Sequence, residues 1–338
     1  LSPHGTFGNV AYTQASALPV IQIAAVTGIW GVEFGVLLLP ATFAAVTARG
    51  VSPVLRLVTV LVTLICVASA LGYGVARLRA PAVSTIRIGL ASLQRPERPS
   101  VDAPEGRALV ARYVDALDRL AAAGAKIIVL PETSVASTSE SIPAFADAAQ
   151  RRDTLLSVGA AVSGDSAHAR NAVLTFRPDL SPPATYSKHH LIPGLEDQYA
   201  PGRDYVTIDG GTRTGLAICK DLDFQDIGRA YASLNTQLLL VPAWDFDVDG
   251  WLHSRMAILR GVESGIAIAR AARRGRLTLS DDRGRVVAEA SAEGRDAELV
   301  GDLPVHDTHT RYAQWGDWFA WLTIAGLIVL LVLPSRHG

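Results

Sequence analysis

Three uncharged apolar stretches flank one charged segment of mixed texture, and that arrangement limits the chain's folds more than any other feature. Residues 57–76, "LVTVLVTLICVASALGYGVA", carry no charge over the roughly 20 residues that cross a hydrocarbon core as a helix. Residues 318–335, "WFAWLTIAGLIVLLVLPS", are also uncharged, with Tyr312, Trp315, Trp318 and Trp321 clustered at their start, as aromatics gather at a membrane interface. A third candidate, about 23–46, contains Glu33 and Pro40 and is the weakest as a span. Each is expected to be a transmembrane helix; the competing reading is a buried helix of a soluble domain. An intramembrane carboxylate is a functional candidate by default, and Glu33 becomes ordinary if it lies near the interface.

Between residues 80 and 302 the texture changes. "STIRIGLASL" reads as a strand and "GRALVARYVDALDRLAAAG" as an amphipathic helix closed by Gly124, and "AKIIVLPET" is again a strand. "TLLSVGAAV", "NAVLTF", "RTGLAIC" and "TQLLLVPAW" continue the series, followed by a helix over about 251–264. Strands alternating with helices predict an α/β layered domain. The predicted plan is an extramembrane segment over 1–22, two transmembrane helices within 23–80, the α/β domain over 81–308, and a third transmembrane helix with a short tail over 309–338. With two spans before it, the domain shares its side of the membrane with the N-terminal segment. Arg49 and Arg56 at one end and Arg77 and Arg79 at the other leave orientation undecided by charge.

With 31 basic and 32 acidic residues and a formal charge of −1, the chain is not a general polyanion binder, and no nucleic-acid partner is expected. Its two cysteines, Cys66 and Cys219, have neither metal-ligand spacing nor a disulfide framework. The single methionine is Met256 and the chain opens "LSPHGTFGNV", so it reads as a fragment or processed chain whose upstream part is missing.

Three residues carry the candidate chemistry. Glu132 closes "IIVLPET", Lys188 lies in "YSKHHLIPGLE", and Cys219 closes "GLAIC". Acyl transfer needs a nucleophile, a base and a positive or N–H-lined place for the oxyanion, and thiol, carboxylate and ammonium supply these. A free thiol, with a pKa of about 8.5, attacks only as thiolate; Glu132 could take its proton, while Lys188 and the Lys220 N–H could face the oxyanion. Spacing alone does not show that the three meet, and on composition alone Cys219 reads first as an inert core cysteine, Glu132 as a polar strand end and Lys188 as a solvated loop lysine.

"LPET", "SKHHLIPGLE", "GLAICKD" and "HSRMAILRGVESG" occur in the order and setting of the carbon–nitrogen hydrolase (nitrilase) superfamily, which the segment 85–302 resembles throughout. The resemblance implies an α-β-β-α sandwich flanked here by transmembrane helices, with a Glu–Lys–Cys triad carried onto Glu132, Lys188 and Cys219. Glu196 matches a second glutamate beside that triad, or is a loop carboxylate. Asp221 matches an acidic position of the superfamily, or is a helix N-cap. Lys220 stands where an aromatic is common; its ammonium either lowers the thiol pKa or points to solvent. Trp244, with Asp245, either lines the pocket or packs and caps. His253 either reaches the site or is structural. Adjacent His189 and His190 diverge, so no metal is expected, and no organic cofactor.

"LPVIQIAAVTGIWGVEF" and "TRYAQWGDWFAW" resemble segments entering late membrane helices of the apolipoprotein N-acyltransferases, the membrane branch of that superfamily. That branch implies a monomer of the bacterial inner membrane, its domain facing the periplasm or outside. It would move an acyl chain from a phospholipid, through a Cys219 thioester, to the α-amine of a diacylated lipoprotein. A chain of roughly 15 methylenes holds such a donor in the bilayer by about 12 kcal/mol, so the enzyme is best placed at the membrane. The loop between Lys188 and Cys219 is short for this branch, with Leu191, Ile192, Leu195 and Tyr199 as its apolar surface, and fewer spans are present than in the full enzyme. The alternatives are a membrane-tethered amidase and an inactive relative that binds lipid or lipoprotein.

Overall fold

A computed structural model describes residues 2–94, 98–164 and 168–332. Among the described residues the strands follow in chain order as β1 (Ser84–Ser92), β2 (Ile127–Val129), β3 (Val135–Ser137), β4 (Leu155–Val162), β5 (Arg170–Phe176), β6 (Ala184–Ser187), β7 (Thr207–Ile208), β8 (Thr214–Leu216), β9 (Leu238–Trp244), β10 (Ala267–Arg273), β11 (Arg276–Ser280), β12 (Val286–Ser291) and β13 (Ala297–Val305). One sheet runs β13-β1-β2-β4-β5-β6, with β3 also on β4, and the other runs β12-β11-β10-β9-β8-β7. β1, β2 and β4 pair in parallel, as do β8, β9 and β10. Such central strands are covered on both faces, which is why "IIV" and "LLLVPA" read as unbroken apolar runs.

The two sheets face each other across a core that includes Ile88, Leu90, Val129 and Tyr186 from one and Leu216, Leu240, Ala269 and Leu279 from the other. Helices Pro104–Ala122 and Pro143–Arg152 cover the first sheet, through Leu109, Tyr113, Leu117, Leu120 and Phe145. The spacing of that helical face is the periodicity visible in the sequence, and Gly124, at φ +91°, ends the first helix as expected. Helices Gln225–Ser233 and Gly250–Ser264 cover the second sheet through Ile227, Tyr231 and Ala257. The result is the α-β-β-α sandwich.

Apolar helices Ile29–Thr47 and Pro53–Leu78 are each long and apolar enough to cross a membrane and are largely exposed. The first begins later than expected. Residues 18–27 form two short helices packed on the sandwich, with Ile21 and Ala24 buried against Met256, Leu259 and Val262. Gly28 breaks the run at φ +68°, and a Cβ there would meet the Tyr312 ring at 2.4 Å. Hydrophobicity alone could not distinguish this docked segment from the span that follows. Glu33 sits in the second turn of the helix, where its carboxylate accepts from Asn9 Nδ2 at 2.9 Å, so its charge has an ordinary partner. The third apolar helix is described over Trp318–Val332, with no side chain buried; the remainder of that expected span and the tail, 333–338, lie outside the described residues.

Candidate active site

The ends of β2, β6 and β8 bring Glu132, Lys188 and Cys219 into one buried cluster. Glu132 follows β2 by way of Pro131, and its loop lies directly on β4: a Cβ at Gly159 would stand 2.4 Å from the Pro131 carbonyl oxygen and 2.5 Å from Glu132 Cα. Lys188, directly after β6, is wholly buried and donates to Glu132 Oε1 and to Glu196 Oε2, each at 2.8 Å. Asn171, on β5, donates from Nδ2 to Glu132 Oε1 and to Glu196 Oε1, each at 2.6 Å. The Ile192 N–H completes the set, donating to Glu196 Oε2 at 2.8 Å. Two carboxylates are thus held against one ammonium by a shared amide.

Cys219 opens a single-turn 3₁₀ helix, Cys219–Asp223, with φ +41°. A non-glycine residue in that region carries strain that surrounding structure must hold. Thr133, next to Glu132, is also left-handed at φ +43°. The Cys219 thiol lies 3.6 Å from the Trp244 carbonyl oxygen, to which it donates. Burial raises the thiol pKa well above its usual value and the Glu132 charge adds to this, against the pull of Lys188. Cys219 therefore rests as a neutral thiol. Burial also raises Glu132, with Lys188 opposing and the Glu196 charge reinforcing the rise. Burial works against the Lys188 ammonium, but Glu132, Cys219 and Glu196 together raise its pKa, so it stays charged.

A cavity of about 230 Å³ opens on the carboxylate side of this cluster, lined by Glu132, Thr133, Glu196, Ile192, Leu195 and Trp244 together with Phe246, Arg98 and Arg274; Cys219 lies behind that lining, its thiol against the Trp244 carbonyl. Trp244 both lines the cavity and packs, its ring 4.3 Å from the Arg273 guanidinium. Leu195 and Phe246 are exposed, while Tyr199 is buried beside the Arg98 guanidinium, 5.6 Å from its ring centre.

Other expectations change. Lys220 neither flanks the thiol nor reaches solvent: it is buried with Nζ 3.2 Å from His4 Nδ1. The helical turn after Cys219 rotates its neighbour towards the N-terminal segment. Asp221 is not an N-cap but the third residue of the turn. Its carboxylate accepts from the Ile218, His189 and His190 N–H groups and from the Tyr186 hydroxyl, fastening the Lys188 strand end to the Cys219 turn. His253 does not line the cavity; it lies 3.2 Å from Asp249 and packs on Phe7, with ring centres 5.6 Å apart. Asp245 pairs with buried Arg270 rather than capping a helix.

Asn171 was not singled out from the sequence. Its one signal is a polar residue directly after Arg170 in a strand whose remaining residues, 172–176, are apolar or hydroxyl-bearing and buried. Among the described residues, Asp281, Asp282 and His306 also cluster, but Arg77, Arg283 and Arg285 already occupy that ground, which opposes a cation.

The carbon-nitrogen hydrolase family matches residues 89–310, well over half of the chain. An apolipoprotein N-acyltransferase of Geobacter metallireducens is 25% identical across 98% of this chain and 70% of its own length. Another, from Gloeobacter violaceus, is 27% identical over 70% of this chain, which spans about half of that relative, 51%. Among solved structures, an amidase variant from Nesterenkonia sp. AN1 carries covalent addition of the acetamide moiety of fluoroacetamide at its active-site cysteine. It superposes with a TM-score of 0.58 at 22% identity, over 72% of this chain and 97% of its own.

Proposed function

Since this chain belongs to the carbon–nitrogen hydrolase family, we propose that it is a membrane-bound, Cys-dependent acyltransferase. It moves a fatty acyl chain from a phospholipid to the N-terminal amine of a diacylglyceryl-cysteine lipoprotein. The observation that carries this reading is the span of the resemblance. It runs over 98% of the chain, through the exposed apolar helices as well as the sandwich, and an amidase of small soluble substrates needs no such helices.

In this reading Glu132 takes the Cys219 proton as Sγ attacks the ester carbonyl. The Lys188 ammonium and the Lys220 N–H face the oxyanion. The C–O bond breaks, Glu132 returns the proton to the leaving glycerol oxygen, and the acyl group remains as a thioester. The lipoprotein amine attacks that carbonyl, Glu132 accepts its proton, and the thiol re-forms as the amide leaves. Glu196 and Asn171 hold Lys188 and Glu132 in register, and Asp221 holds the two strand ends together. No step calls for a metal or an organic cofactor. The bacterial inner membrane, with the sandwich outside the cytoplasm, is the location that fits both lipid donor and lipoprotein acceptor.

The second reading is a membrane-tethered amidase that passes its acyl-enzyme to water, favoured by the likeness of the sandwich to the Nesterenkonia amidase. The two separate in one assay. Purified protein in phospholipid micelles with a diacylated lipopeptide should yield the triacylated peptide, and Cys219→Ala should yield none. Free fatty acid as the sole product would favour the amidase.

A further inference from the structure

We propose that Arg98 and Arg274 form a phosphate-reading pair in the cavity beside Cys219, so that an acyl donor is selected by its phosphodiester and not by the alcohol that caps it. The proposal rests on the acyltransferase reading above. Both arginines line the cavity that Glu132 and Glu196 floor. Both are held in left-handed backbone, Arg98 at φ +47° and Arg274 at φ +55°, conformations that persist where surrounding structure imposes them and that concentrate at ligand clamps. Three of the seven described non-glycine residues with positive φ, namely Arg98, Thr133 and Arg274, line this cavity, and a fourth, Cys219, sits behind it against the Trp244 carbonyl.

The other cations near the site are committed elsewhere. Lys188 is wholly buried between two carboxylates, Lys220 turns to His4, Arg270 pairs with Asp245, and Arg273 lies against Trp244. Arg98 is steadied by aromatic rings, its guanidinium 5.6 Å from the centres of both Tyr199 and Trp244, and its Nε has no hydrogen-bond partner among the described residues. Among the described residues Arg274 has only a long contact, 3.8 Å, with Asp247, and both side chains are exposed, a pairing that a better anion displaces easily. Planar guanidinium forks match phosphate oxygens two at a time.

Beside them, Ile192, Leu195 and Phe246 make an apolar wall, so the lining fits an amphiphile with one anionic group close to its acyl chains. In a glycerophospholipid the phosphate and the ester share one glycerol. Anchoring the phosphate on the arginines would therefore carry the ester carbonyl towards the Glu132 and Trp244 side of the cavity, behind which Cys219 lies. A small amide bearing a carboxylate is the other anion such a pair could read, and the experiment includes one.

The test uses the full chain in neutral-detergent micelles, comparing wild type, Arg98→Gln, Arg274→Gln and the double variant. Thioester formation is followed by intact mass with phosphatidylethanolamine, phosphatidylglycerol and diacylglycerol of matched chains. A nitrophenyl ester reports the reactivity of Cys219 itself, and succinamate serves as the small anionic amide. The expected result is that wild type accepts both phospholipids to a similar degree and diacylglycerol poorly. In the double variant the ratio of phospholipid rate to nitrophenyl-ester rate should fall about tenfold or more, mostly through KM, as expected for losing charge-assisted hydrogen bonds. An unchanged ratio, or diacylglycerol as good a donor as the phospholipids, would overturn the arginine pair and leave the acyltransferase standing. No thioester from any phospholipid, with succinamate hydrolysed, would overturn both.

Discussion

Two of the clusters of buried charge among the described residues are built differently. At the cavity, Lys188 stands between Glu132 and Glu196 with Asn171 bridging the carboxylates, beside a strained cysteine. Where the sandwich meets its apolar helices, Arg260 pairs with Glu263, both almost wholly buried. Arg260 donates to the Leu222 carbonyl and the Thr6 hydroxyl, and Glu263 Oε1 accepts from the Ile29 N–H at the start of the first long helix. Asp317, at the start of the last helix, accepts from Trp30 and Tyr312. The second cluster has no residue in the cavity that Glu132 and Glu196 line and joins elements together; the first opens on a space that a substrate can fill. Buried charge therefore does not mark a reactive centre by itself. What sets the candidate site apart here is the cavity, the left-handed Cys219 and a carboxylate pair held partly against its own repulsion.

This contrast can be broken by paired substitutions. Lys188→Met leaves two buried carboxylates without their cation. It should abolish acyl transfer and also cost about 3–5 kcal/mol of stability, read as loss of product and a lowered thermal midpoint in detergent. Glu263→Gln strands Arg260 and should cost a similar 3–5 kcal/mol, yet the folded fraction should keep its activity within about twofold. Equal activity losses per folded molecule would erase the distinction between the clusters.

A smaller effect sharpens the account of the first cluster. Glu132 must be ionised to act as base, so the rate should fall as pH drops through its raised pKa. The Glu196 charge contributes to that rise. Glu196→Gln should therefore move the acid limb of kcat/KM to lower pH, by on the order of one unit, and a shift to higher pH would contradict the assignment. The smallest effect concerns backbone alone. Because Cys219 sits at φ +41°, Cys219→Gly should be more stable than Cys219→Ala by about 1 kcal/mol, measurable as a difference in thermal midpoint between two inactive proteins.

The meeting of Glu132, Lys188 and Cys219 was legible because each follows a strand end within a short local motif, and the alternation of strands with amphipathic helices revealed the layered domain around them. Asn171 was not legible, since a polar residue in an apolar strand says nothing of the two carboxylates that other segments bring to it. Lys220 misled because adjacency in sequence is not adjacency of side chains once a left-handed residue starts a helical turn. The junction was wholly hidden: Ile29 meets Glu263, and Arg77 meets Asp282, across more than 200 residues. The stretch 23–27 looked like membrane because burial against a protein surface and burial in lipid ask for the same side chains; only Gly28, folded against Tyr312, separates them.

The central claim is that Cys219 carries the acyl group. Intact-mass spectrometry of detergent-purified protein incubated with phospholipid, wild type beside Cys219→Ala, followed by a chase with diacylated lipopeptide, addresses it directly. The account predicts a gain of one acyl chain on the wild type alone, discharged onto the peptide amine. No adduct on the wild type, or the same adduct on Cys219→Ala, would contradict it.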